Sequence, residues 1–335
     1  MDRSLGRIIA ASLAAAGIGI WNVGSQLAKA PVILPNVWQL SFLQNVDLPL
    51  DSIAWQILAG ALFFAPLLIT SLIVSRLWAE TFARMRGRPL DTGWIYAAWL
   101  YTLLLPATMP LYFAALGLTF GLIFGCHVFG GTGRYIVNPA LLGIVFLLVA
   151  YPDLLGNSNW LPGVDAPSTW AAVATESVAT GGANDELAWL PVFLGQQVGA
   201  MGTGSAAACL LGALILIISG VASIRMVAAG VVSIGLLAGL TEGLNGLWHL
   251  VLGNFAFCLA FVATDPTIRP QTKAGNWAFG VLFGCLVLAI RTANPQHPEG
   301  SLFALLLASL CIPLLDYVAN LALQRSGKKT TKLHG

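Results

Sequence analysis

Residues 53–75 read IAWQILAGALFFAPLLITSLIVS, 23 positions without a charged side chain. A run of that length covers the ~20 residues an α-helix needs to cross the hydrocarbon core of a bilayer. Arg76 closes it. Further apolar runs, bounded by charge or by Pro and Gly, lie at 8–28, 92–106, 110–129, 138–151, 203–219, 224–241, 246–263, 276–291 and 301–323. Ten membrane spans are therefore expected. The third and fifth are short, and short or Pro-broken spans are common where transporter-like folds place binding sites.

Composition points the same way. Charged residues make up 9% of the 335 positions, hydrophobic residues 57%, and mean hydropathy is +0.82; soluble domains carry about 25% charge. So little charge cannot cover a surface in water, and a lipid bilayer supplies the missing apolar solvent. The net charge of +2, with no basic patch interleaved with aromatics, speaks against a nucleic-acid partner. Five cysteines sit singly inside apolar runs without a C-x-x-C pair, so they read as small buried hydrophobes rather than zinc or iron–sulfur ligands. Residues 8–20 open a first span rather than a removed signal peptide, because no A-x-A site follows and many spans come later.

Lys and Arg set the orientation. With ten spans and the amino terminus inside, fourteen of the sixteen Lys and Arg residues fall on the cytoplasmic side, and only Lys29 and Arg291 fall outside. Both termini are then cytoplasmic, in a bacterial inner membrane. The segment 152–202 becomes a long external loop that has Asp153, Asp165, Glu176, Asp185 and Glu186 but no Lys or Arg. Loops of that length are usually functional. A weak internal repeat fits this layout: Ala107-Thr108-Met109-Pro110 ends the third span and Ala263-Thr264-Asp265-Pro266 the eighth. Five spans per repeat is an odd number, so the halves would be inverted. The expected domains are 1–151, the first five-helix repeat; 152–202, the external loop; and 203–335, the second repeat.

Several polar positions stand out. Phe129-Gly130-Gly131-Thr132-Gly133-Arg134 precedes Asn138-Pro139-Ala140. The glycines permit close backbone approach to a ligand, and Asn before Pro reads as a helix N-cap with Pro at the first helical position. A tight, well-capped turn explains the same residues. Asp265 beside Thr264 is either a solvated cap or a functional carboxylate. Asp316 lies inside span ten and needs a partner, a cavity or a proton. Glu80 and Glu299 sit near the interfaces, where solvation is expected. His127 and His249 read as hydrogen-bonded polar residues, because no third ligand accompanies them. Trp94, Tyr96, Trp99, Trp248 and Trp277 fit an interfacial aromatic belt.

At this point the ordered motifs resemble a known family. The Phe129–Arg134 run with Asn138-Pro139-Ala140, then Ala263–Pro266, then Asn294-Pro295 with Pro298-Glu299-Gly300, then Pro313-Leu314-Leu315-Asp316 look like NqrB, a membrane subunit of sodium-translocating NADH:quinone reductase. They are also similar to its relative RnfD, from the Rnf complex. The resemblance covers nearly the whole chain. It implies an all-α, urea-transporter-like fold of ten helices in two inverted repeats, and Leu105–Pro110 looks like the urea-transporter signature. It implies a non-autonomous membrane subunit that relays electrons and moves Na+ or H+ together with partner subunits. It further implies an FMN esterified to a Thr of the outer loop and a riboflavin nearer the cytoplasm. The matching positions for cofactor binding are Gly130, Gly131, Thr132, Arg134, Asn138, Thr264 and Asp265, with Asp265 and Asp316 for ion coupling.

The chain departs from that pattern on the outer side. The family's acceptor motif, roughly Asp-Gly-x-Ser-Gly-Ala-Thr, is here Asp165-Ala166-Pro167-Ser168-Thr169-Trp170-Ala171. Ala171 stands in place of the acceptor, leaving Thr169 and Thr175 as substitutes. The family's Gly-Ser-x-Gly-Glu becomes Gly199-Ala200-Met201-Gly202-Thr203, without the carboxylate. The sequence begins without the family's long cytoplasmic arm, so a quinone site of that type is not expected. A cofactor-poor channel-like transporter, or an anchor for a redox partner, is the competing reading. Covalent FMN is expected to be altered or absent, so intact-mass spectrometry of the purified chain should find no FMN adduct; one on a loop Thr overturns that expectation.

Overall fold

The computed structural model describes residues 3–29, 38–45, 48–155, 189–196, 199–294 and 299–332, and among them helix is the only regular structure. Each of the ten apolar stretches contains helix. The principal helices are α1 (Arg3–Lys29), α2 (Ile53–Arg86), α3 (Gly93–Leu104), α4 (Leu111–Phe120) and α5 (Pro139–Ala150). The second half continues with α6 (Ala206–Ile218), α7 (Ile224–Glu242), α8 (Phe255–Phe257), α9 (Lys273–Ala293), α10 (Gly300–Leu310) and α11 (Ile312–Lys332). Among the described residues, α1, α2, α7 and α9 are long and apolar enough to cross a bilayer alone, and α10 with α11, bent by 50°, makes a fifth. The chain is a multi-pass membrane protein.

The shorter helices have identifiable breakers. Pro106 biases Leu105 to extended backbone and α3 stops before it, while Pro110 caps the start of α4. Gly253 at φ 68° separates α8 from the short helix Trp248–Val251, a backbone conformation open mainly to glycine. Conversely, α2 runs well past residue 75. Beyond that point Glu80 pairs with Arg76 at 3.5 Å and Arg84 at 3.8 Å, and Gly87 at φ 59° ends the helix, where main-chain N–H groups close onto the Ala83 and Arg84 carbonyls. An apolar run ends where solvent changes; a helix ends where capping residues allow it.

Packing joins α1 to α2 and α6, α2 to α3 and α4, α4 to α5, α7 to α9, α9 to α10, and α5 to α10. Lipid tails are as apolar as leucine, so helices hold together in a bilayer through close van der Waals approach at small residues. At the α1–α2 crossing a methyl on Gly24 would lie 1.8 Å from the Gln56 carbonyl oxygen, and one on Gly60 1.8 Å from that of Ile20. Trp21 Nε1 donates to Gln56 Oε1 at 2.8 Å in the same seam.

The structure corrects one expectation and adds a detail to another. Glu299, expected in solvent, is 4% exposed at the start of α10. Arg291, counted on the outer side, is buried in the last turn of α9 and donates to the carbonyls of His249 and Leu252, each at 2.8 Å. The break between the short helix Trp248–Val251 and α8 leaves those carbonyls open, which is why a buried guanidinium can sit there. Charge counting has no access to that break in the backbone.

The α1–α2 seam yields a prediction. Gly24→Ala and Gly60→Ala each destabilise by about 1–3 kcal/mol through overpacking, read by thermal unfolding in detergent. Gly17→Ala, with nothing within 4 Å of the new methyl, leaves stability unchanged or slightly raised.

Candidate functional site

Two π-helical turns lead into the site. Gly121–His127 continues α4 and Cys258–Val262 continues α8; such turns are frequent at functional sites because they shift the helical register. The second delivers Ala263, Thr264 and Asp265 into the protein interior, where all three are fully buried.

Asp265 is the centre of a hydrogen-bonded knot. Its Oδ2 accepts from Tyr135 OH at 2.6 Å, Asn138 Nδ2 at 3.0 Å and Tyr96 OH at 3.1 Å. Its Oδ1 accepts from the Thr267 N–H at 2.9 Å. A carboxylate withdrawn from water survives where donors replace the water, and all four partners donate. Asn138 does two jobs because of its amide. Its Oδ1 caps α5 by accepting from Ala140 N–H at 2.9 Å and Leu141 N–H at 3.4 Å. The cap fixes which way the amide faces, so Nδ2 points at Asp265 and also donates to Tyr96 OH at 3.2 Å.

Beside the knot opens a cavity of about 280 Å³, near the lower end of small-molecule sites, about 300–1,000 Å³. Gly130, Gly131, Thr132 and Arg134 line it, with Tyr96 and Tyr135 as the wall shared with the knot. Phe82, Arg86, Asp91, Trp94 and His127 complete much of the rest. Gly130, Gly131 and Gly133 take φ of 115°, 100° and 84°, so the loop turns back with its backbone open to the cavity. The Thr132 side chain packs onto Gly93, where a methyl would lie 2.3 Å from its Oγ1. Arg86, Arg88 and Arg134 against Asp91 leave the lining net positive.

The expected residues thus divide. Gly130, Gly131, Thr132 and Arg134 lie together on the cavity, and Asn138 with Asp265 directly behind it. Thr264 is buried next to Asp265, but its hydroxyl donates to the Ala260 carbonyl of its own helix at 2.7 Å. Asp316 stands apart: half-buried on α11, it accepts from Gln271 N–H at 2.9 Å, Thr272 N–H at 3.0 Å and Thr272 Oγ1 at 2.7 Å. Its partner is therefore the entry to α9. Thr169 and Thr175 lie outside the described residues.

Reading from sequence missed four contributors. Tyr96, assigned to an interfacial belt, is 1% exposed and bonded to a residue 169 positions away. Tyr135 had no motif of its own beyond adjacency to Arg134. His127, expected to be hydrogen-bonded, is 8% exposed, yet among the described residues neither ring nitrogen has a hydrogen-bond partner. Arg86 donates to the His127 carbonyl and lies 5.1 Å over the Phe82 ring. The knot predicts that Tyr135→Phe costs about 1.5–3 kcal/mol, as for a hydrogen bond to a charged group. In a double-mutant cycle with Asp265→Asn, thermal unfolding should show the two effects to be strongly non-additive.

Comparison with known proteins covers nearly the same ground. The family described as NQR2, RnfD, RnfE matches residues 1–323. The NqrB protein of the Na(+)-translocating NADH-quinone reductase from Klebsiella pneumoniae (strain 342) is 36% identical over 331 residues, covering 90% of this chain and 80% of the relative. The corresponding proteins of Azotobacter vinelandii and Neisseria meningitidis serogroup B are 35% and 33% identical, each over 89% of this chain and 79% of the relative. With a family match across all but the last residues and relatives of that identity and coverage, the chain belongs to the NQR2, RnfD, RnfE family.

Proposed function

We propose that this chain is a flavin-carrying subunit of an ion-translocating electron-transport complex in a bacterial inner membrane. It would relay electrons and couple them to movement of Na+ or H+ together with partner subunits. The relatives named as a subunit of Na(+)-translocating NADH-quinone reductase support the class. The observation that carries the reading is the cavity itself: aromatic walls from Phe82 and Trp94, an open glycine backbone, and a buried carboxylate knot directly behind it.

In this reading the chain spans the membrane ten times, in two inverted, urea-transporter-like halves with both termini cytoplasmic. The packing supports it. Contacts α2 on α4 and α4 on α5 have their counterparts in α7 on α9 and α9 on α10, and the halves meet through α1 on α6 and α5 on α10. Cytoplasmic placement of the Gly130–Arg134 loop follows from the Lys and Arg distribution.

The residues fit a flavin. Gly130, Gly131, Thr132 and Arg134 would hold riboflavin or FMN without a covalent bond, while Phe82 and Trp94 offer flat apolar surface. The bound flavin supplies one- and two-electron transfer; the protein orients it, excludes water and sets its electrostatics. Asp265 is the coupling group. Its carboxylate, sealed from solvent and surrounded by low-dielectric protein, holds a proton or cation more tightly as negative charge accumulates beside it. Of the two carboxylates considered for coupling, Asp265 alone has the burial this requires. Asp316 braces the turn into α9.

An absorption spectrum of the purified chain before and after denaturation tests the reading. Flavin bands that follow the protein and leave it on denaturation are expected, whereas a colourless preparation favours the channel-like or anchor alternative. Asp265→Asn is expected to reduce Na+ or H+ movement in proteoliposomes far more than flavin content. Unchanged pumping removes Asp265 from the scheme.

A further inference from the structure

Among the described residues, His127 is a buried polar side chain of the cavity wall whose ring nitrogens have no partner. The residue is 8% exposed, and among the described residues neither Nδ1 nor Nε2 has a hydrogen-bond partner. Buried polar groups are almost always satisfied, so an exception of this kind needs a reason. Three polar groups that line the same cavity are engaged elsewhere. Tyr96 and Tyr135 hydroxyls donate to Asp265. Arg86 donates to the His127 main-chain carbonyl and lies over Phe82.

The imidazole is also held in place. It stacks on Phe82 with ring centroids 4.5 Å apart and planes 9° from parallel, and it ends the π-helical turn Gly121–His127. Stacking on one face and a main-chain tether through Arg86 hold the ring, with both nitrogens buried and unpartnered among the described residues. A neutral imidazole offers one donor and one acceptor. A hydrocarbon occupant satisfies neither. A flat ring whose edge alternates carbonyl oxygens with N–H groups can satisfy both, and the pyrimidine edge of a flavin is of that kind.

We propose that His127 is the specificity-determining residue of the cavity, hydrogen-bonding the polar edge of the bound flavin ring. This rests on the flavin reading above and extends it to one side chain. Donation from His127 favours the more electron-rich reduced ring, so the residue also raises the reduction potential of the bound flavin.

The test uses the full chain purified in detergent and titrated with riboflavin, then with FMN, followed by quenching of flavin fluorescence. His127→Leu should weaken binding about tenfold, the loss expected for one hydrogen bond. It should also lower the midpoint potential by about 30 mV, the equivalent of a tenfold change for a two-electron couple. His127→Gln, which keeps a donor and an acceptor, should restore most of both. Flavin binding and potential unchanged in His127→Leu overturn the role of His127 while leaving the flavin reading intact. A wild-type chain that binds neither flavin overturns the reading and this inference together. If His127→Leu fails to fold, the ¹⁵N resonances of the wild-type histidine ring decide: a shift of one histidine on adding riboflavin is expected, and no shift overturns the proposal.

Discussion

A carboxylate with no access to water has to be surrounded by donors, and Asp265 meets that requirement with groups from three separate stretches of chain. Tyr96 comes from the first turn of α3, Tyr135 and Asn138 from the approach to α5, and Thr267 from the turn that follows Asp265 itself. For these to converge, the start of α3, the start of α5 and the exit from α8 must meet at one point. Removing the carboxylate's donors would leave a buried charge uncompensated, a far larger penalty than any single packing contact imposes. The knot therefore dictates how the ends of these helices are arranged.

The cavity follows from that arrangement. Because Asn138 is tied both to the α5 backbone and to Asp265, the segment before it, from Gly130 to Tyr135, has to double back within a few residues. Positive φ at Gly130, Gly131 and Gly133 makes the reversal feasible. Gly93 gives Thr132 room to dock against α3. The space between the returning loop and Phe82 of α2 is the cavity, so a flavin held there would lie against the wall that Tyr96 and Tyr135 share with the knot. In the proposed reading, electron load on that flavin and the carboxylate charge would lie close enough to influence each other through a medium of low dielectric.

Against the pattern the resemblance implies, the sequence departs at Ala171 and Thr203, whereas the loop, cap and Ala263–Pro266 motifs stand intact. Those intact motifs are the ones that gather around one cavity. Asp316, grouped with Asp265 by its carboxylate and its place in an apolar span, serves a different local need. It replaces the missing partners of N–H groups at the α9 entry, as carboxylates near helix starts do.

What the sequence determined by itself was local. Apolar run length sets which stretches leave water, the Lys and Arg distribution gives an expected orientation, and Asn138 before Pro139 marks a helix start; each depends on neighbours within a few residues. The site was half legible, because Gly130, Gly131, Asn138 and Asp265 carry backbone or charge signatures. Tyr96, Tyr135 and His127 carry none, since an aromatic near a span end has the same local pattern whether it faces lipid headgroups or a buried carboxylate. Only the tertiary structure decided between those, by joining residues 130 and 169 positions apart to Asp265 and by burying His127 against Phe82. The physical reason is that hydrophobic transfer is additive along a chain, whereas hydrogen-bond satisfaction in the interior depends on which distant groups arrive.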